Sequence, residues 1–316
     1  MAINLRGVLL PITTPFSSHE EVDTEGLAGN LEKWNDTGIA GYVILGSTGE
    51  RVNLDETEYL RVIETARRAV PERLTFVAGA GQQSTYGTIK EIERAAGAGA
   101  QAVLVITPGF YKSAISQEAL VEYYIAVADA ARVPVILYSM PDLTGIKIEP
   151  ETAARLSKHE NIIGMKDSSA DIVKFAETVR QAPAGFAMMI GNGTVFSEAL
   201  QAGARGGILA VGCAAPRLCL EIYNAVQIAD IDRAEALQHK LTPLARAVTK
   251  TYGIGGLKTA MDLSGLVGGA VRSPLRRPDE SAAAEIAALL AQASAALAEL
   301  PTDAAALSAK GLLAGT

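Results

Sequence analysis

A tyrosine and a lysine stand at the far ends of two successive apolar runs, where they could act on a carbonyl compound. Tyr138 lies in LYSMPDLTG (137–145), and Lys166 lies in IIGMKDSSAD (162–171). Lysines are rarely buried without a partner or a task. Desolvation would favour the neutral amine, which can attack a ketone carbon and form a Schiff base. Because a phenol can relay protons, Tyr138 beside Lys166 predicts imine chemistry.

Both residues also have a structural interpretation. Lys166 could be held in a buried ion pair with Asp167 or Glu50, and Tyr138 could close the top of a hydrophobic core. The catalytic interpretation is favoured because Tyr138 and Lys166 fall at the same end of neighbouring predicted strands.

A short loop, GSTGE (46–50), carries small hydroxyl side chains and backbone N–H groups in a tight turn. Such a loop suits a carboxylate, and Ser47 and Thr48 are its candidate ligands. A carboxylate-binding loop next to an imine-forming lysine predicts a 2-oxo acid substrate. Other polar residues at predicted strand ends are Thr13, Thr14, Ser168 and Asn192.

The residues that usually bind metals are scattered along the chain. His19, His159 and His239 do not fall at predicted strand ends, so a divalent-metal site would lack its imidazoles. Cys213 and Cys219 are too few for a disulfide framework or a zinc site and favour a reducing, cytoplasmic compartment. We therefore expect no metal and no external cofactor.

The elements that position these residues follow from the hydrophobic pattern. Apolar, β-branched runs ending in Gly, Ser, Thr or Pro predict strands over residues 8–16, 41–50, 74–81, 102–108, 133–141, 162–169, 186–193 and 206–213. Amphipathic segments such as 54–70 and 116–131 predict helices between them. This alternation predicts a (β/α)8 TIM barrel with the site at the carboxyl ends of its strands. The alternative, a doubly wound sheet, would be expected to show G-x-G-x-x-G after its first strand, where the sequence has TTPF.

The C-terminal third extends beyond the predicted barrel. We predict a barrel over 1–228 and a C-terminal helical region over 229–316 that packs on it. All of the chain after 216 reads as helix, including the alanine-rich segment 281–300. This region could dock on the barrel, lie between subunits, or form an ordinary helix bundle.

Composition excludes several classes of partner. The chain has 316 residues, 49% of them hydrophobic, and a formal net charge of −7, so it lacks the basic field that nucleic acid requires. The N-terminal MAINLRGVLLPITTPF is broken by Pro11 and lacks the length of a signal h-region or a membrane span. We expect neither a nucleic-acid nor a membrane partner.

With these residues in place, the sequence resembles the dihydrodipicolinate synthase and N-acetylneuraminate lyase family of Schiff-base aldolases. The resemblance covers nearly the whole chain, and its motifs are, in order, PITTPF, GSTGE, the ITP that ends strand four, LYSMP, GMKDSS and GNGTVFSEALQAGARGGI. It implies a (β/α)8 barrel with C-terminal helices, pyruvate and an aldehyde as substrates, and a homotetramer built of tight dimers.

The resemblance also implies roles for individual residues. Lys166 matches the imine lysine, and Tyr138 matches the proton-relay tyrosine. Ser47 and Thr48 match the hydroxyl pair that binds the pyruvyl carboxylate and links the relay. Ile208 matches a backbone contact to the pyruvyl group.

Two positions depart from the family pattern. Dihydrodipicolinate synthases carry an arginine after the relay tyrosine that reads the second substrate's carboxylate, and the matching residue here is Leu143. The family's second tyrosine, lent across the dimer, falls at Phe110 or Tyr111 in TPGFYK. We take Tyr111 as the candidate.

Within the family, the chain resembles 4-hydroxy-2-oxoglutarate aldolase, through LYS-x-P-x-x-TG, GMKDS and the segment 247–269. That resemblance adds Ser168 and Gly191 to the substrate site, whereas 247–269 holds no predicted catalytic group. It implies cleavage of 4-hydroxy-2-oxoglutarate to pyruvate and glyoxylate through an imine on Lys166. The alternatives are a dihydrodipicolinate synthase, another pyruvate-dependent lyase or dehydratase acting on a sugar acid, and a non-catalytic barrel that binds 2-oxo acids.

Overall fold

The computed structural model describes residues 3–298, and its centre is a closed parallel barrel whose strands pair in chain order from β1 to β8. The strands are β1 (Gly7–Pro11), β2 (Gly41–Ile44), β3 (Thr75–Ala80), β4 (Ala102–Ile106), β5 (Val135–Ser139), β6 (Ile162–Asp167), β7 (Ala187–Ile190) and β8 (Gly206–Ile208). The closed order confirms the predicted TIM barrel and excludes the doubly wound sheet.

Helices cover the outside of the barrel. Within residues 3–298 they are α1 (Thr24–Trp34), α2 (Glu56–Ala69), α3 (Thr85–Gly97), α4 (Gln117–Ala130), α5 (Pro141–Thr144), α6 (Pro150–Leu156), α7 (Ile172–Gln181), α8 (Phe196–Gln201), α9 (Pro216–Gln227), α10 (Ile231–Arg246), α11 (Gly253–Leu263) and α12 (Glu280–Ala298). Among these elements, no helix combines the length and apolar character that crossing a bilayer requires.

Side-chain caps fix where the helices begin. Asp55 precedes α2, and its side chain accepts a hydrogen bond from the backbone N–H of Glu58, while the carboxylate of Glu58 accepts one from the backbone N–H of Asp55. Ser116 caps α4 with a single bond, accepting the backbone N–H of Ala119 with its side-chain oxygen. These caps satisfy N–H groups that the first turn leaves unpaired, so both helices start within two residues of their predicted positions.

The barrel has two hydrophobic layers because its strands are buried on both faces. Every residue of β2, β3 and β5 is buried. The interior layer includes Leu9, Val43, Val77, Leu104 and Ile136, and a larger outer layer lies between strands and helices. Continuous burial explains why the strands read as unbroken apolar runs.

Several predicted bounds were wrong. The predicted strand 41–50 ends at Ile44, because Leu45 takes a left-handed backbone conformation and a 3₁₀ turn follows at Ser47–Gly49. The predicted strand 8–16 likewise ends at Pro11.

The C-terminal region was predicted as helix throughout, yet residues 264–279 are not helical. Gly265, two residues after α11, has positive φ and ends the helix, and Gly269 has positive φ farther along this segment. The helices α10 and α12 pack against α9, and α12 also packs against α10 and α11. The end of the alanine-rich segment, together with the rest of 299–316, lies outside the described residues, and the boundary at 228 stays a prediction.

Candidate active site

Tyr138 and Lys166 lie next to each other at the carboxyl end of the barrel. Tyr138 on β5 and Lys166 on β6 are direct partners in the parallel register. Both side chains are buried, and Nζ of Lys166 lies 4.3 Å from the centroid of the Tyr138 ring. Paired positions on neighbouring strands project to the same face, which here is the barrel interior.

Ser47 joins this pair from the loop after β2. Its Oγ lies 3.0 Å from the phenol oxygen of Tyr138, so one hydroxyl donates to the other. The turn that carries Ser47 is closed by the N–H of Gly49, which donates to the carbonyl of Gly46 at 3.0 Å. Thr14, in the loop after β1, holds the turn because its Oγ1 donates to the carbonyl of Gly49 at 2.8 Å. Thr48, the second predicted carboxylate ligand, is buried in the same turn.

The environment of Tyr138 changes its acidity. Burial by itself would raise the pKa of this phenol, because the charged form loses its hydration. The positive charge of Lys166 and hydrogen bonds from Ser47, Ser168 and Lys166 oppose burial and outweigh it. The pKa of Tyr138 is therefore below its usual value of 10.0, which eases loss of its proton.

The carboxylates considered as ion-pair partners of Lys166 are engaged elsewhere. Glu50 pairs with Lys258, at 2.6 Å between Oε1 and Nζ. Asp167 accepts the backbone N–H of Ser169 at 2.7 Å, and burial raises the pKa of this carboxyl above its usual 3.8. Within residues 3–298 neither carboxylate forms an ion pair with Lys166.

Gly191 leaves room for the lysine side chain. It follows β7, and a Cβ at this position would lie 2.6 Å from Cε of Lys166 and 2.1 Å from Oγ of Ser168. Both distances are far below van der Waals contact. Ser168 and Gly191 therefore adjoin Lys166, and their part in binding substrate stays a prediction. Ile208 ends β8 and is fully buried in the interior layer.

Other candidates make no hydrogen bond to Lys166, Tyr138 or Ser47 within the described residues. Phe110 and Tyr111 are 76% and 70% exposed and contact each other edge to face, with ring centroids 5.0 Å apart. Leu143 on α5 is 61% exposed. Asn192 uses its side-chain oxygen to accept from the N–H and Oγ1 of Thr194.

The histidines and cysteines take structural positions. His159 bonds Asp129 at 3.0 Å, and His19 and His239 are exposed. Cys213 and Cys219 are buried free thiols. Whether the protein uses a metal or a cofactor is not decided by these positions, and the predicted absence of both stays a prediction.

Sequence reasoning missed that α11 contacts the segments around the Ser47 turn. The segment 247–269 was assigned no chemical role, yet it supplies Lys258, which binds Glu50, and Met261, whose Sδ lies 3.3 Å from Oγ1 of Thr13. The available signal was a single lysine within the apolar stretch GGLKTAM, because a charge buried on a helix needs a partner.

The model of the dihydrodipicolinate synthetase family matches residues 4–293. The chain belongs to the dihydrodipicolinate synthetase family. A curated member, 4-hydroxy-tetrahydrodipicolinate synthase from Methanothrix thermoacetophila, is 34% identical over 271 residues, covering 85% of this chain and 90% of its own.

Solved structures of this family agree with the fold. Dihydrodipicolinate synthase from Thermotoga maritima superposes with a TM-score of 0.87 at 29% identity, over 92% of this chain and 98% of the other. A prophage protein of the dihydrodipicolinic acid synthase family from E. coli K12, solved in complex with pyruvate, gives 0.85 at 27% identity, over 92% and 99%.

Membership in the dihydrodipicolinate synthetase family confirms the family predicted from the motifs. It also makes the protein an enzyme, a carbon–carbon lyase of the pyruvate-dependent aldolase type. The non-catalytic alternative is therefore set aside.

Proposed function

We propose that the amine of Lys166 forms an imine with the ketone of pyruvate, and that Tyr138 moves protons during the carbon–carbon step. The observation that carries the proposal is the arrangement of Lys166, Tyr138 and Ser47 inside one barrel mouth, with a 3.0 Å hydrogen bond linking the two hydroxyls. The space beside Gly191 gives the lysine side chain room to carry a substituent.

The first half of the reaction uses these residues in order. Nζ of Lys166 attacks C2 of pyruvate, and the ketone oxygen leaves as water once Tyr138 has delivered a proton to it. The protonated imine is an electron sink, so C3 loses a proton and becomes the nucleophilic carbon of an enamine. No external cofactor is required for these steps.

The pyruvate carboxylate is assigned to the Ser47 turn. Ser47 and Thr48 offer hydroxyls and backbone N–H groups to an anion, and the turn lies beside the phenol of Tyr138. Holding the carboxylate there orients C2 toward Lys166, which lowers the entropic part of the barrier.

The second half of the reaction depends on the aldehyde, and aspartate semialdehyde is the first candidate. The enamine attacks its aldehyde carbon, Tyr138 protonates the new alkoxide, and the substrate's amine displaces Lys166 from C2 to close the ring. The names of the curated relatives favour this 4-hydroxy-tetrahydrodipicolinate synthase reaction.

Cleavage of 4-hydroxy-2-oxoglutarate is the second candidate. Tyr138 would take the C4 hydroxyl proton, the C3–C4 bond would break, and glyoxylate would leave before the enamine is hydrolysed to pyruvate. Leu143 favours this reaction, because it stands where the synthases carry a carboxylate-reading arginine. Other pyruvate-dependent reactions on sugar acids share the same first half.

We also propose a homotetramer, located in the cytoplasm, in which Tyr111 completes the proton relay of a neighbouring subunit. The exposed aromatic pair of Phe110 and Tyr111 supports this assignment, because large apolar side chains exposed together often mark an interface. Sedimentation of the wild type tests the assembly, and kcat of Tyr111→Phe tests the relay. A monomeric wild type would contradict the tetramer, and full activity in Tyr111→Phe would contradict the relay role.

The decisive experiment is borohydride trapping with pyruvate, read as an intact-mass increase, in the wild type and Lys166→Ala. We expect a reduced adduct in the wild type only. Synthase turnover is then measured as the loss of pyruvate in quenched samples that contained pyruvate plus aspartate semialdehyde, and cleavage of 4-hydroxy-2-oxoglutarate is measured as pyruvate release coupled to lactate dehydrogenase. A Leu143→Arg variant that gains only synthase activity would support the role of this position in aldehyde choice. An adduct that persists in Lys166→Ala would refute the imine assignment.

A further inference from the structure

We propose that Glu50 and Lys258 are positioning residues that hold the Ser47 turn in its active geometry from outside the reacting groups. The inference rests on the proposed function, since it concerns the turn assigned to the pyruvate carboxylate. Neither side chain lies among the reacting groups, so both act through the backbone of the turn.

The Ser47 turn is strained at both ends. Leu45 has φ of 58° and Glu50 has φ of 55°, so two residues with side chains take the left-handed conformation that favours glycine. Such residues persist only where their surroundings hold them, and they cluster at functional sites. The four residues between them include Ser47 and Thr48. A contact that fixes Glu50 therefore fixes the end of this turn.

That contact is a fully buried ion pair. Nζ of Lys258 lies 2.6 Å from Oε1 of Glu50, and the two side chains are 0% and 1% exposed. The other carboxylate oxygen accepts the backbone N–H of Arg272 at 3.2 Å and the side-chain amide of Asn53 at 3.3 Å. The ammonium also lies 4.5 Å from the ring centroid of Phe16. Glu50 is therefore held on several sides by groups outside its own turn.

Burial makes this pair costly, which argues that it serves a purpose beyond packing. Desolvation lowers the pKa of Lys258 despite the opposing charge of Glu50. Buried ion pairs add little to stability compared with apolar residues of similar volume, and some are retained for structural specificity. A glycine at position 50 would relieve the backbone, whereas only a side chain can reach α11.

The route from the ion pair to the catalytic group is short. The backbone N–H of Glu50 donates to the carbonyl of Ser47 at 3.2 Å, and Ser47 bonds the phenol of Tyr138 at 3.0 Å. The same hydrogen bond helps to lower the pKa of that phenol. A displaced turn would thus change the acidity of Tyr138 without altering Tyr138, and this change can be measured.

The test compares Lys258→Met, Glu50→Gly and the double variant Glu50→Gln with Lys258→Met. Folding is verified by circular dichroism and thermal unfolding. The readouts are kcat, KM for pyruvate, and a tyrosinate absorbance titration in which the matching Tyr138→Phe protein is subtracted. The matched control is Glu221→Gln with Arg233→Met, which removes a partly buried ion pair between α9 and α10.

We expect folded Lys258→Met and Glu50→Gly to lose about 100-fold in kcat, the usual effect of a displacement near 1 Å. Both should titrate Tyr138 at higher pH than the wild type. The double variant should regain stability, because no buried charge is unpaired, but not turnover. Lys258→Arg, which keeps the charge, should recover part of the activity. The control pair should leave the titration and kcat unchanged.

The proposal is overturned if the folded double variant and Glu50→Gly keep wild-type kcat and the wild-type Tyr138 titration. A loss of activity that matches only the unfolded fraction also overturns it, because the pair would then be structural. The titration needs no substrate. If wild-type protein fails to trap pyruvate, the proposed function falls, and the titration still decides whether the ion pair positions the turn.

Discussion

Replacing Gly191 with alanine tests the geometry around Lys166 with one added methyl group. The backbone of Gly191 does not take the left-handed conformation, so alanine can adopt it. The new Cβ would lie 2.6 Å from Cε of Lys166 and 2.1 Å from Oγ of Ser168. Ordinary contacts begin near 3.4 Å, so the lysine side chain must move by close to 1 Å.

Gly191→Ala should affect turnover more than stability. Forcing a methyl group into a packed site costs about 1–3 kcal/mol of stability. A displacement of about 1 Å in a reacting group lowers turnover about 100-fold, provided that the rest of the site is intact. We therefore expect a folded Gly191→Ala protein with a large defect in kcat and in the rate of imine formation.

Stopped reaction with pyruvate and borohydride measures imine formation, and thermal unfolding measures stability. Gly29→Ala is the control, because Gly29 lies in α1 and a Cβ there would meet no atom within 4 Å beyond its chain neighbours and the nearby helix backbone. This control should gain about 0.5–1 kcal/mol and keep full activity. Wild-type rates in Gly191→Ala would refute the placement of Lys166 against this glycine.

Two further predictions concern charge. In Lys166→Met, the loss of the nearby positive charge should raise the pKa of Tyr138, because the effect of burial is then less opposed. Tyrosinate absorbance should therefore appear at higher pH than in the wild type. An unchanged titration would contradict the effect of Lys166 on Tyr138. Arg272 lowers the pKa of Glu58 below its usual 4.5 by a hydrogen bond, so the folded state favours the carboxylate. The resulting contribution to the free energy of unfolding is fully present above pH 4.5, and it disappears as the pH falls through the lowered pKa of Glu58. Glu58→Gln should thus be about 1 kcal/mol less stable than the wild type at pH 7. The difference in free energy of unfolding, measured with denaturant, should disappear in acid.

Much of the barrel could be predicted because each strand and helix carries a local signal. The Asp55 and Ser116 caps mark helix starts, and unbroken apolar runs mark strands buried on both faces. The alignment of Tyr138 with Lys166 also followed, since successive parallel strands place corresponding ends together.

The partner of Glu50 could not be predicted, because it depends on contacts between distant parts of the chain. From spacing, Glu50 was as plausible a partner for Lys166 as for any other buried amine. The fold brings Lys258 to it from α11, and this leaves Lys166 without that carboxylate. The predicted strands were also too long at their carboxyl ends. Leu45, for example, is apolar but has a left-handed backbone conformation, which amino-acid type alone does not indicate.

The ion pair with α11 has a consequence for protein synthesis. Tyr138, Lys166 and Ser47 all lie in the first two thirds of the chain, but Lys258, the ion-pair partner of Glu50, is synthesised much later. A nascent chain that has completed all eight strands still has an unneutralised carboxylate behind its substrate turn. If Lys258 holds the Ser47 turn as proposed, a graft of C-terminal helices that lacks this lysine would leave the barrel intact and the substrate turn loosened.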